Sequence, residues 1–370
     1  MPTDEPDMKA KLESWISDKA KSPTVITNLQ KLAGGYANEL YGLSQSGAGI
    51  EDRELVLKMM PAPPVKFFGA DKEPHFRREY DAVKTLAAHT DVPFPKMYWY
   101  EGSVEPLGRP FYIMSRVPGE VPVDRPPYFE SGFIAEGSPD FQRRVWRSSI
   151  EAMAALHRVD WRALGLDFLA DSAQGVTMRE RRINYHLDFY DWARGTARNP
   201  YIEAARDWLH DFAPKEEEPV SICWGDARIG NQIFSGSEVV ALIDFETMAL
   251  GNPIQDIAYA LSSEKILFGN EHALNEEENS KFPCFLSAAE TYKYWSELTG
   301  FPATPELQHY YTVFSAFKGA VQLQRDVTVK IHRGILPADS TYGTDNFITA
   351  QLADLLGIKG PDQAMSFVRA

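Results

Sequence analysis

The first third of the chain alternates apolar and polar residues in short runs that are typical of β-strands. Glycine-containing turns separate these runs, so the pattern predicts an antiparallel meander. The three runs cover residues 25–35, 38–45 and 54–61. Ahead of the meander, residues 7–20 have the spacing of a short amphipathic helix.

A helix and two more strands complete this first region. Phe76, Tyr80 and Val83 share one face of a predicted helix over residues 73–89, which follows a proline-rich loop at 61–74. The two strand-like runs that come next cover residues 93–102 and 110–120. Five strands and one helix by about residue 116 predict a small α+β lobe.

Helical spacing dominates from about residue 140 onward. Trp146, Ile150, Met153 and His157 share one helix face. Two short apolar runs, at residues 220–225 and 239–245, interrupt the helical pattern. Further helices are predicted over residues 254–263, 284–298, 306–324 and 346–356, the last one stopped by Gly357. Because 370 residues exceed one small core, we expect two lobes, at residues 1–116 and 117–370.

Two features of the second region allow more than one interpretation. Its aromatic residues are either plain core or the wall of an apolar pocket: Tyr292, Tyr294, Trp295, Tyr310, Tyr311, Phe314 and Phe317. The charged runs at 215–218 and 275–278 read as solvated loops. Glu271 and the glutamates at 276–278 could instead line a pocket for a cationic substrate.

Composition narrows the classes of function. A formal net charge of −14 opposes binding to nucleic-acid backbones. The two cysteines, Cys223 and Cys284, do not form a disulfide framework, which favours a reducing setting. The N-terminus lacks the regions of a secretory signal, and no run approaches the ~18 apolar residues of a membrane span. We therefore expect a cytoplasmic protein without nucleic-acid or membrane partners.

Asp226, Asn231 and Asp244 form the strongest chemical pattern in the sequence. Asp226 follows an apolar run at a glycine turn, Asn231 lies five residues later, and Asp244 ends the second apolar run. A hairpin would bring the three together. Phosphoryl transfer needs such a set, with one carboxylate for the proton of a hydroxyl and two oxygen ligands for Mg²⁺. Taken singly, each residue is also an ordinary turn or strand-end residue.

The stretch "WGDARIGNQIF" (224–234), followed by "ALIDFETMALGNPIQDIAYAL" (241–261), resembles the aminoglycoside phosphotransferase family. The similarity is greatest to the branch with the kinase-like domain of acyl-CoA dehydrogenase fusion proteins, and it covers about residues 25–350. It implies a bilobal protein-kinase-like α+β fold. The N-terminal lobe would hold an antiparallel sheet with one helix, and the C-terminal lobe would be mainly helical.

The resemblance also implies roles for single residues. Asp226 matches the catalytic base, and Asn231 and Asp244 match the metal ligands. Arg228 stands where kinases often carry a lysine that faces the γ-phosphate, and a guanidinium can pair two phosphate oxygens. A solvent-facing loop arginine is the other interpretation of Arg228. Asp256 matches an aspartate that holds the backbone of the catalytic loop.

Two further residues near the motif are expected to support it. His157 matches a packing position near the catalytic loop, and a metal site with Asp160 is the alternative. Trp224 stands where the family has a histidine. Tryptophan can fill that volume and donate one N–H, but it cannot accept a hydrogen bond as neutral histidine can.

The first lobe is expected to bind ATP. Gly34 and Gly35 would let the backbone approach the phosphates, and Asn38 would reach a phosphate oxygen, although a plain hairpin turn explains the glycines equally well. Lys58 lies among apolar residues inside a strand, where an unpaired ammonium is costly. Glu79 is its expected partner, and such a pair would orient Lys58 on the α- and β-phosphates.

The segment "FYIMSRVPG" (111–119) resembles the family's connection between lobes. The adenine would bond to the backbone of Ser115 and Val117, with Met114 facing the ring. The resulting prediction is a phosphotransferase that uses ATP and Mg²⁺ and moves the γ-phosphate to a small-molecule hydroxyl. The acceptor is either an aminoglycoside or a metabolite such as a hydroxyacyl thioester. A nucleotide-binding pseudokinase that acts as a regulatory or scaffold module is the alternative.

Overall fold

The computed structural model describes residues 5–32, 38–60, 72–194, 198–268 and 284–365. The chain divides into two compact units. The first comprises Met1–Gly119 with Val240–Glu246, and the second comprises Glu120–Val239 with Thr247–Ala370. Helices and an antiparallel sheet occur together, which confirms the predicted α+β fold class. The predicted lobe boundary at residue 116 stays a prediction.

The first unit is built on a five-stranded antiparallel sheet with the strand order β1-β2-β3-β5-β4. Its strands are β1 (Val25–Lys31), β2 (Glu39–Ser46), β3 (Glu54–Met59), β4 (Met97–Glu101) and β5 (Phe111–Ser115). Two helices accompany it, α1 (Glu5–Ala20) and α2 (Lys72–His89). The predicted meander and both predicted helices are therefore present. Helix α2 takes the last residues of the predicted loop at 61–74, and residues 61–71 lie outside the described part.

Alternation along the strands places two different surfaces on the two faces of the sheet. Leu55 and Leu57 of β3 join one buried cluster with Leu12 and Ile16 of α1. Trp15 of α1 extends this cluster across the sheet through edge contacts to Phe111 and Trp99. The sequence predicted helix α1, but its packing on the sheet was not foreseen.

The opposite face of the sheet carries helix α2. The rings of Phe76 and Tyr80 lie 5.0 and 5.7 Å from the ring of Tyr112 on β5. Tyr112 is also the cross-strand neighbour of Lys58 on β3. Because the aromatic contacts fix α2 over these strands, the residue before Tyr80, Glu79, is held above Lys58.

The second unit is mainly helical, as predicted. Its helices are α3 (Pro139–His157), α4 (Met178–Arg194), α5 (Pro200–Asp211), α6 (Ile254–Phe268), α7 (Ala288–Thr299), α8 (Pro305–His332) and α9 (Phe347–Leu356). Helix α8 packs against α4, α5, α6 and α9 and so forms the centre of the unit. Helix α9 ends as predicted, with Gly357 in the left-handed conformation.

Short strands position the loops of the second unit. They are β6 (Ser221–Cys223), β7 (Gln232–Ser235), β8 (Glu238–Leu242), whose last three residues belong to the first unit, and β9 (Ala249–Gly251). Strand β6 pairs with β9, and β7 pairs with β8. The sequence predicted β6 and β8 from their apolar runs, whereas β7 and β9 were not predicted.

Burial and side-chain contacts test two expectations about the second unit. Six of the seven aromatic residues singled out on α7 and α8 are buried, so they are core residues, and Tyr294 is half-buried. The reading of residues 215–218 as a solvated loop is wrong for Glu218, because Asn252, Tyr311 and Arg179 all bind its carboxylate. Residues 271 and 275–278 lie outside the described part. Within that part, every helix is too short or too polar to cross a membrane.

Candidate active site

Lys58 and Glu79 form a buried ion pair in the first unit. The ammonium Nζ lies 2.7 and 3.0 Å from the two carboxylate oxygens, and both side chains are buried. Burial alone would lower the pKa of Lys58. The charges of Glu79, Tyr112 and Asp244 outweigh that effect and hold the pKa well above its usual value. Lys58 is therefore a fixed cation, as the sequence predicted from its apolar neighbours.

The segment after β8 contributes to the same cluster. Asp244 has a positive φ of 63°, a conformation that costs a non-glycine residue free energy and often marks a functional position. Its Oδ1 lies 3.4 Å from Nζ of Lys58. The next N–H, that of Phe245, donates to Oε1 of Glu79 at 3.1 Å. Glu79 thus joins the lysine and the Asp244 segment in one network.

Asn38 and Glu246 are linked beside this network. The amide nitrogen of Asn38 donates to Oε2 of Glu246 at 2.8 Å. The sequence singled out Asn38 for a phosphate and did not single out Glu246. The contact orients the Asn38 side chain. Gly34 and Gly35, the other predicted phosphate-binding residues, lie outside the described part of the chain.

The end of β5 holds the residues predicted to contact adenine. The N–H of Ser115 donates to the carbonyl of Lys96 at 2.8 Å, and its hydroxyl accepts from the N–H of Lys96 at 2.9 Å. A ligand can therefore use the carbonyl of Ser115 but not its N–H. Among the described residues, none accepts a hydrogen bond from the N–H of Val117. Met114 is half-buried at the end of the same strand.

Asp226 lies in the second unit, in the loop after β6. The side-chain amide of Asn231 donates to Oδ2 of Asp226 at 2.7 Å and to its backbone carbonyl at 3.0 Å. The hydroxyl of Tyr259 on α6 lies close to this carboxylate. Burial, followed by the charge of Asp226, raises the pKa of Tyr259 well above its usual value. The hydrogen bond from Asn231 orients the Asp226 carboxylate.

Arg228 is paired, not solvated as its alternative interpretation would have it. Its Nη1 lies 2.9 and 3.1 Å from the two oxygens of Asp124, and its Nε lies 3.8 Å from Oδ2 of Asp226. Asp124 belongs to the segment of residues 120–138 that precedes α3, and sequence reasoning did not single it out. The guanidinium is thereby held next to the Asp226 carboxylate, while its predicted contact with phosphate stays a prediction.

Asp256, at the start of α6, binds the backbone of the two residues that precede Asp226. The N–H groups of Trp224 and Gly225 donate to its two carboxylate oxygens at 2.5 and 2.9 Å. His157 contacts the same carboxylate through Nε2 at 3.1 Å, and Nε1 of Trp295 donates to its Nδ1 at 2.9 Å. Because Nδ1 accepts, the proton of neutral His157 lies on Nε2 and points to Asp256.

Gly225 is required by this geometry. It has a φ of 89°, and a Cβ atom there would lie 2.5 Å from both the carbonyl oxygen and the hydroxyl of Thr247. Trp224, immediately before it, is fully buried. The hydrogen bond from residue 224 to Asp256 comes from the backbone, so it does not depend on whether that residue is tryptophan or histidine.

The predicted metal ligands offer suitable atoms. The amide nitrogen of Asn231 faces Asp226, so the carbonyl oxygen of its side chain remains for a cation. The side chain of Asp244 is 38% exposed. Oxygen atoms of these two types fit Mg²⁺. In the described ranges, no group of three or more His, Cys, Asp or Glu residues forms a metal cluster.

Four residues of these clusters were missed by the sequence reasoning: Asp124, Glu246, Tyr259 and Lys318. Lys318 on α8 is buried, and its ammonium donates to the carbonyl of Gly225. It lies in the apolar run "AFKGAV", which is the same signal that singled out Lys58. Asp124 and Tyr259 carry no such signal, because only the folded chain brings them to the loop.

Comparisons with known proteins show the family and the fold of the chain. Residues 28–275 match the sequence model of a family described as the phosphotransferase enzyme family. "Probable acyl-CoA dehydrogenase IBR3" of Arabidopsis thaliana is 26% identical over 307 residues, which are 76% of this chain and 35% of that protein. Acyl-CoA dehydrogenase family member 11 of Gallus gallus is 30% identical over 243 residues, 65% of this chain and 28% of that protein. The chain thus spans about a third of the length of the curated relatives it matches.

Solved structures share the fold over nearly the whole chain. A candidate aminoglycoside phosphotransferase of Ralstonia eutropha aligns with a TM-score of 0.67 and 25% identity over 94% of this chain and 95% of its own. A thermostable mutant of aminoglycoside phosphotransferase APH(4)-Ia, crystallised with ADP and hygromycin B, aligns with a TM-score of 0.55 and 15% identity over 94% and 98%. These likenesses confirm the predicted kinase-like fold. With more than half of its length matched by the family model, the chain belongs to the phosphotransferase enzyme family.

Proposed function

We propose that this chain transfers the γ-phosphate of ATP to the hydroxyl group of a small molecule. The observation that carries the proposal is the buried pair of Lys58 and Glu79, with Asp244 3.4 Å from the same ammonium. A buried cation that is held in place but has a partly exposed acidic neighbour is suited to a polyanionic ligand. Family membership supports phosphotransferase chemistry, and related structures bind ADP and AMP-PNP.

The nucleotide is proposed to bind the first unit. Lys58 pairs with oxygens of the α- and β-phosphates, and Glu79 keeps its ammonium in position. Asn38, with Gly34 and Gly35, contacts the phosphates. The adenine ring lies against Met114 and bonds to the carbonyl of Ser115 and the N–H of Val117. The last assignment is more specific than the sequence allowed, because the N–H of Ser115 is already bonded.

The acceptor is proposed to react at Asp226. The bond between the γ-phosphorus and the β-γ bridging oxygen breaks, and the acceptor oxygen bonds to the phosphorus. The proton of the acceptor hydroxyl goes to the carboxylate of Asp226, and Arg228 pairs with the transferred group. Asn231 and Asp244 would hold Mg²⁺. When bound, that ion neutralises charge that develops on the phosphate oxygens.

The class of acceptor follows from two groups of relatives. APH(4)-Ia was crystallised with hygromycin B and another phosphotransferase with streptomycin, so aminoglycosides are one class. The curated relatives are named as acyl-CoA dehydrogenases, which makes a hydroxyacyl thioester or a related metabolite the other class. We propose a small molecule in the cytoplasm as the partner, without nucleic acid or membrane.

A transfer screen tests the function directly. The chain is incubated with ³²P-labelled ATP and Mg²⁺ and with panels of aminoglycosides, hydroxyacyl-CoAs and hydroxylated metabolites. We expect labelling of one class and a loss of at least ~1,000-fold in turnover for D226A. Nucleotide affinity, measured by thermal shift, should stay close to that of the wild type. Activity that survives in D226A would show that Asp226 is not the base.

The same measurements distinguish an enzyme from a pseudokinase. An enzyme is stabilised by ATP together with Mg²⁺ and slowly releases phosphate in the absence of an acceptor. A pseudokinase module gives no transfer and no phosphate release on any panel. That result, obtained with a folded protein, would overturn the proposed phosphotransfer.

A further inference from the structure

Lys318 is a buried cation that none of the roles above uses. It lies on α8, and only 3% of the residue is exposed. A buried ammonium is costly unless other groups replace its water shell. The neighbours of Lys318 therefore indicate what it does.

Two direct contacts replace that water shell. The ammonium donates a hydrogen bond to the carbonyl of Gly225, the residue before Asp226. It also lies over the ring of Tyr259, with Nζ 3.8 Å from the ring centroid. A cation at that position is attracted by the negative face of the ring. Lys318 thus connects α8 to the catalytic loop and to α6.

Both contacts lead to Asp226. Gly225 is bonded to Asp226 through the peptide chain, and its left-handed φ of 89° sets the direction in which the chain enters residue 226. The hydroxyl of Tyr259 lies close to the Asp226 carboxylate, whose charge helps to raise the tyrosine pKa, so the ring that Lys318 contacts is also a neighbour of that carboxylate. Lys318 does not itself need to touch the acceptor.

Charges of both signs act on the buried amine of Lys318. Burial lowers its pKa to about 8, the charges of Asp226 and Asp256 act to raise it, and Arg182 acts to lower it. The charged and titratable groups that face it come from α4, β6, the loop and α6: Arg182, His186, Cys223, Asp226, Asp256 and Tyr259. His186 stays neutral because burial, Arg182 and Lys318 lower its pKa well below the usual value. Lys318 is thus a buried amine whose charged form is favoured by the carboxylates of Asp226 and Asp256 and opposed by burial and Arg182.

We propose that Lys318 is a positioning residue for phosphoryl transfer, which fixes the Asp226 carboxylate through the Gly225 carbonyl and the Tyr259 ring. This inference rests on the proposed function of the chain. Positioning acts on the reaction step, because a displaced base lowers the rate much more than it changes nucleotide binding. Since the nucleotide is assigned to residues of the first unit, the affinity for ATP should not depend on Lys318.

The variant K318M tests the proposal, because methionine keeps an unbranched apolar stem of similar length and removes the charge. Turnover is measured as ³²P transfer to the acceptor and as phosphate release from Mg·ATP alone. We expect kcat to fall ~10- to 100-fold while KM for ATP stays within ~twofold. The matched control is K330M on the same helix, which breaks an i, i+4 pair with Asp326 at 2.9 Å and should keep wild-type kcat.

A second variant tests the contribution of Tyr259 without removing the buried cation. Y259F keeps the ring under Lys318 and removes the hydroxyl next to Asp226, so it is informative even if K318M does not fold. Its kcat is expected to fall ~10-fold with an unchanged KM for ATP. Wild-type kcat in Y259F, or in folded K318M, would overturn the positioning role.

The controls separate this role from the proposed function. A wild-type chain without any ATP-dependent transfer or phosphate release overturns phosphotransfer itself, and the role of Lys318 falls with it. An active wild type with an equally active K318M overturns only the role of Lys318. A K318M variant that loses ATP affinity in parallel with kcat shows a structural effect on the whole unit and also overturns positioning.

Discussion

Lys58 and Asp226 are the central charged groups of the two units, and they are held in opposite ways. Lys58 is held by side chains, since two carboxylates approach its ammonium directly. The loop that carries Asp226 is held mainly through its backbone, at the N–H groups of residues 224 and 225 and at the carbonyl of Gly225. A side-chain pair depends on the identity of two residues. A backbone support tolerates changes in the loop side chains but depends strongly on the conformation of the loop.

Among the variants that test this comparison, the largest effect on turnover is expected for K58M, which breaks the side-chain arrangement. Without the ammonium, phosphate loses a fixed cation, and we expect turnover to fall ~100- to 1,000-fold. Glu79 is left buried without its cation, which should lower the free energy of unfolding by ~3–5 kcal/mol. Steady-state kinetics and urea unfolding measure the two effects.

A matched control for K58M is K11M on α1. Lys11 pairs with Asp7 at 2.7 Å, but the two side chains are 45% and 51% exposed. An exposed pair contributes ~0.5 kcal/mol or less, so K11M should be neutral in both assays. Wild-type turnover in K58M would contradict the assignment of Lys58 to phosphate.

A smaller effect is expected for G225A, which breaks the backbone arrangement. The added Cβ meets Thr247, and the left-handed φ becomes strained, so we expect a loss of ~2–4 kcal/mol in unfolding free energy. The loop shifts to relieve the contact, and turnover falls ~10- to 100-fold. Urea unfolding and single-turnover kinetics provide the measurements.

The control for G225A is G236A. Gly236 also has a positive φ, of 59°, but a Cβ there meets nothing within 4 Å. The G236A variant should lose ~1 kcal/mol of unfolding free energy from backbone strain alone and keep wild-type turnover. Equal turnover in the two alanine variants would show that the loop tolerates displacement, and the contrast between the two units would then not hold.

Apart from the controls, the smallest effect on turnover is expected for W224H, which tests whether the loop depends on a side chain at residue 224 or only on its backbone. The hydrogen bond to Asp256 comes from the N–H of residue 224 and is kept by any side chain. Histidine fills less of the buried volume, so stability should fall by ~2 kcal/mol, while kcat should stay within ~threefold of the wild type. A loss of more than ~10-fold in kcat would mean that the indole itself positions Asp226.

The sequence predicted the side-chain pairing of Lys58 better than the backbone contacts that support the Asp226 loop. A lysine inside an apolar strand needs a partner, so Lys58 and Glu79 could be paired from the sequence pattern alone. Asp226, Asn231 and Asp244 were recognisable by their spacing. The helices and strands around them were predicted from periodicity and apolar runs, except for β7, β9, α4 and α5.

The supports of the Asp226 loop could be predicted only in part. The resemblance pointed to Asp256 and His157, but nothing in the sequence joins His157 to Trp295, which lies 138 residues later. The contact of Lys318 with Gly225 spans 93 residues and depends on how α8 packs against α6. Such contacts depend on tertiary packing. They use backbone groups, which nearly every residue type has, so the sequence does not reveal them.

The position of Lys318 on α8 has a consequence for the order in which the protein matures during its synthesis. Asp226 leaves the ribosome before Asp256, Trp295 and Lys318, the residues that brace its loop. Chains fold progressively from the N-terminus as they are made, but this loop has no complete support until α8 has been translated. The capacity of the loop to hold the Asp226 carboxylate is therefore acquired late, and a nascent chain that ends before α8 carries Asp226, Asn231 and Asp244 without the contacts that support the loop.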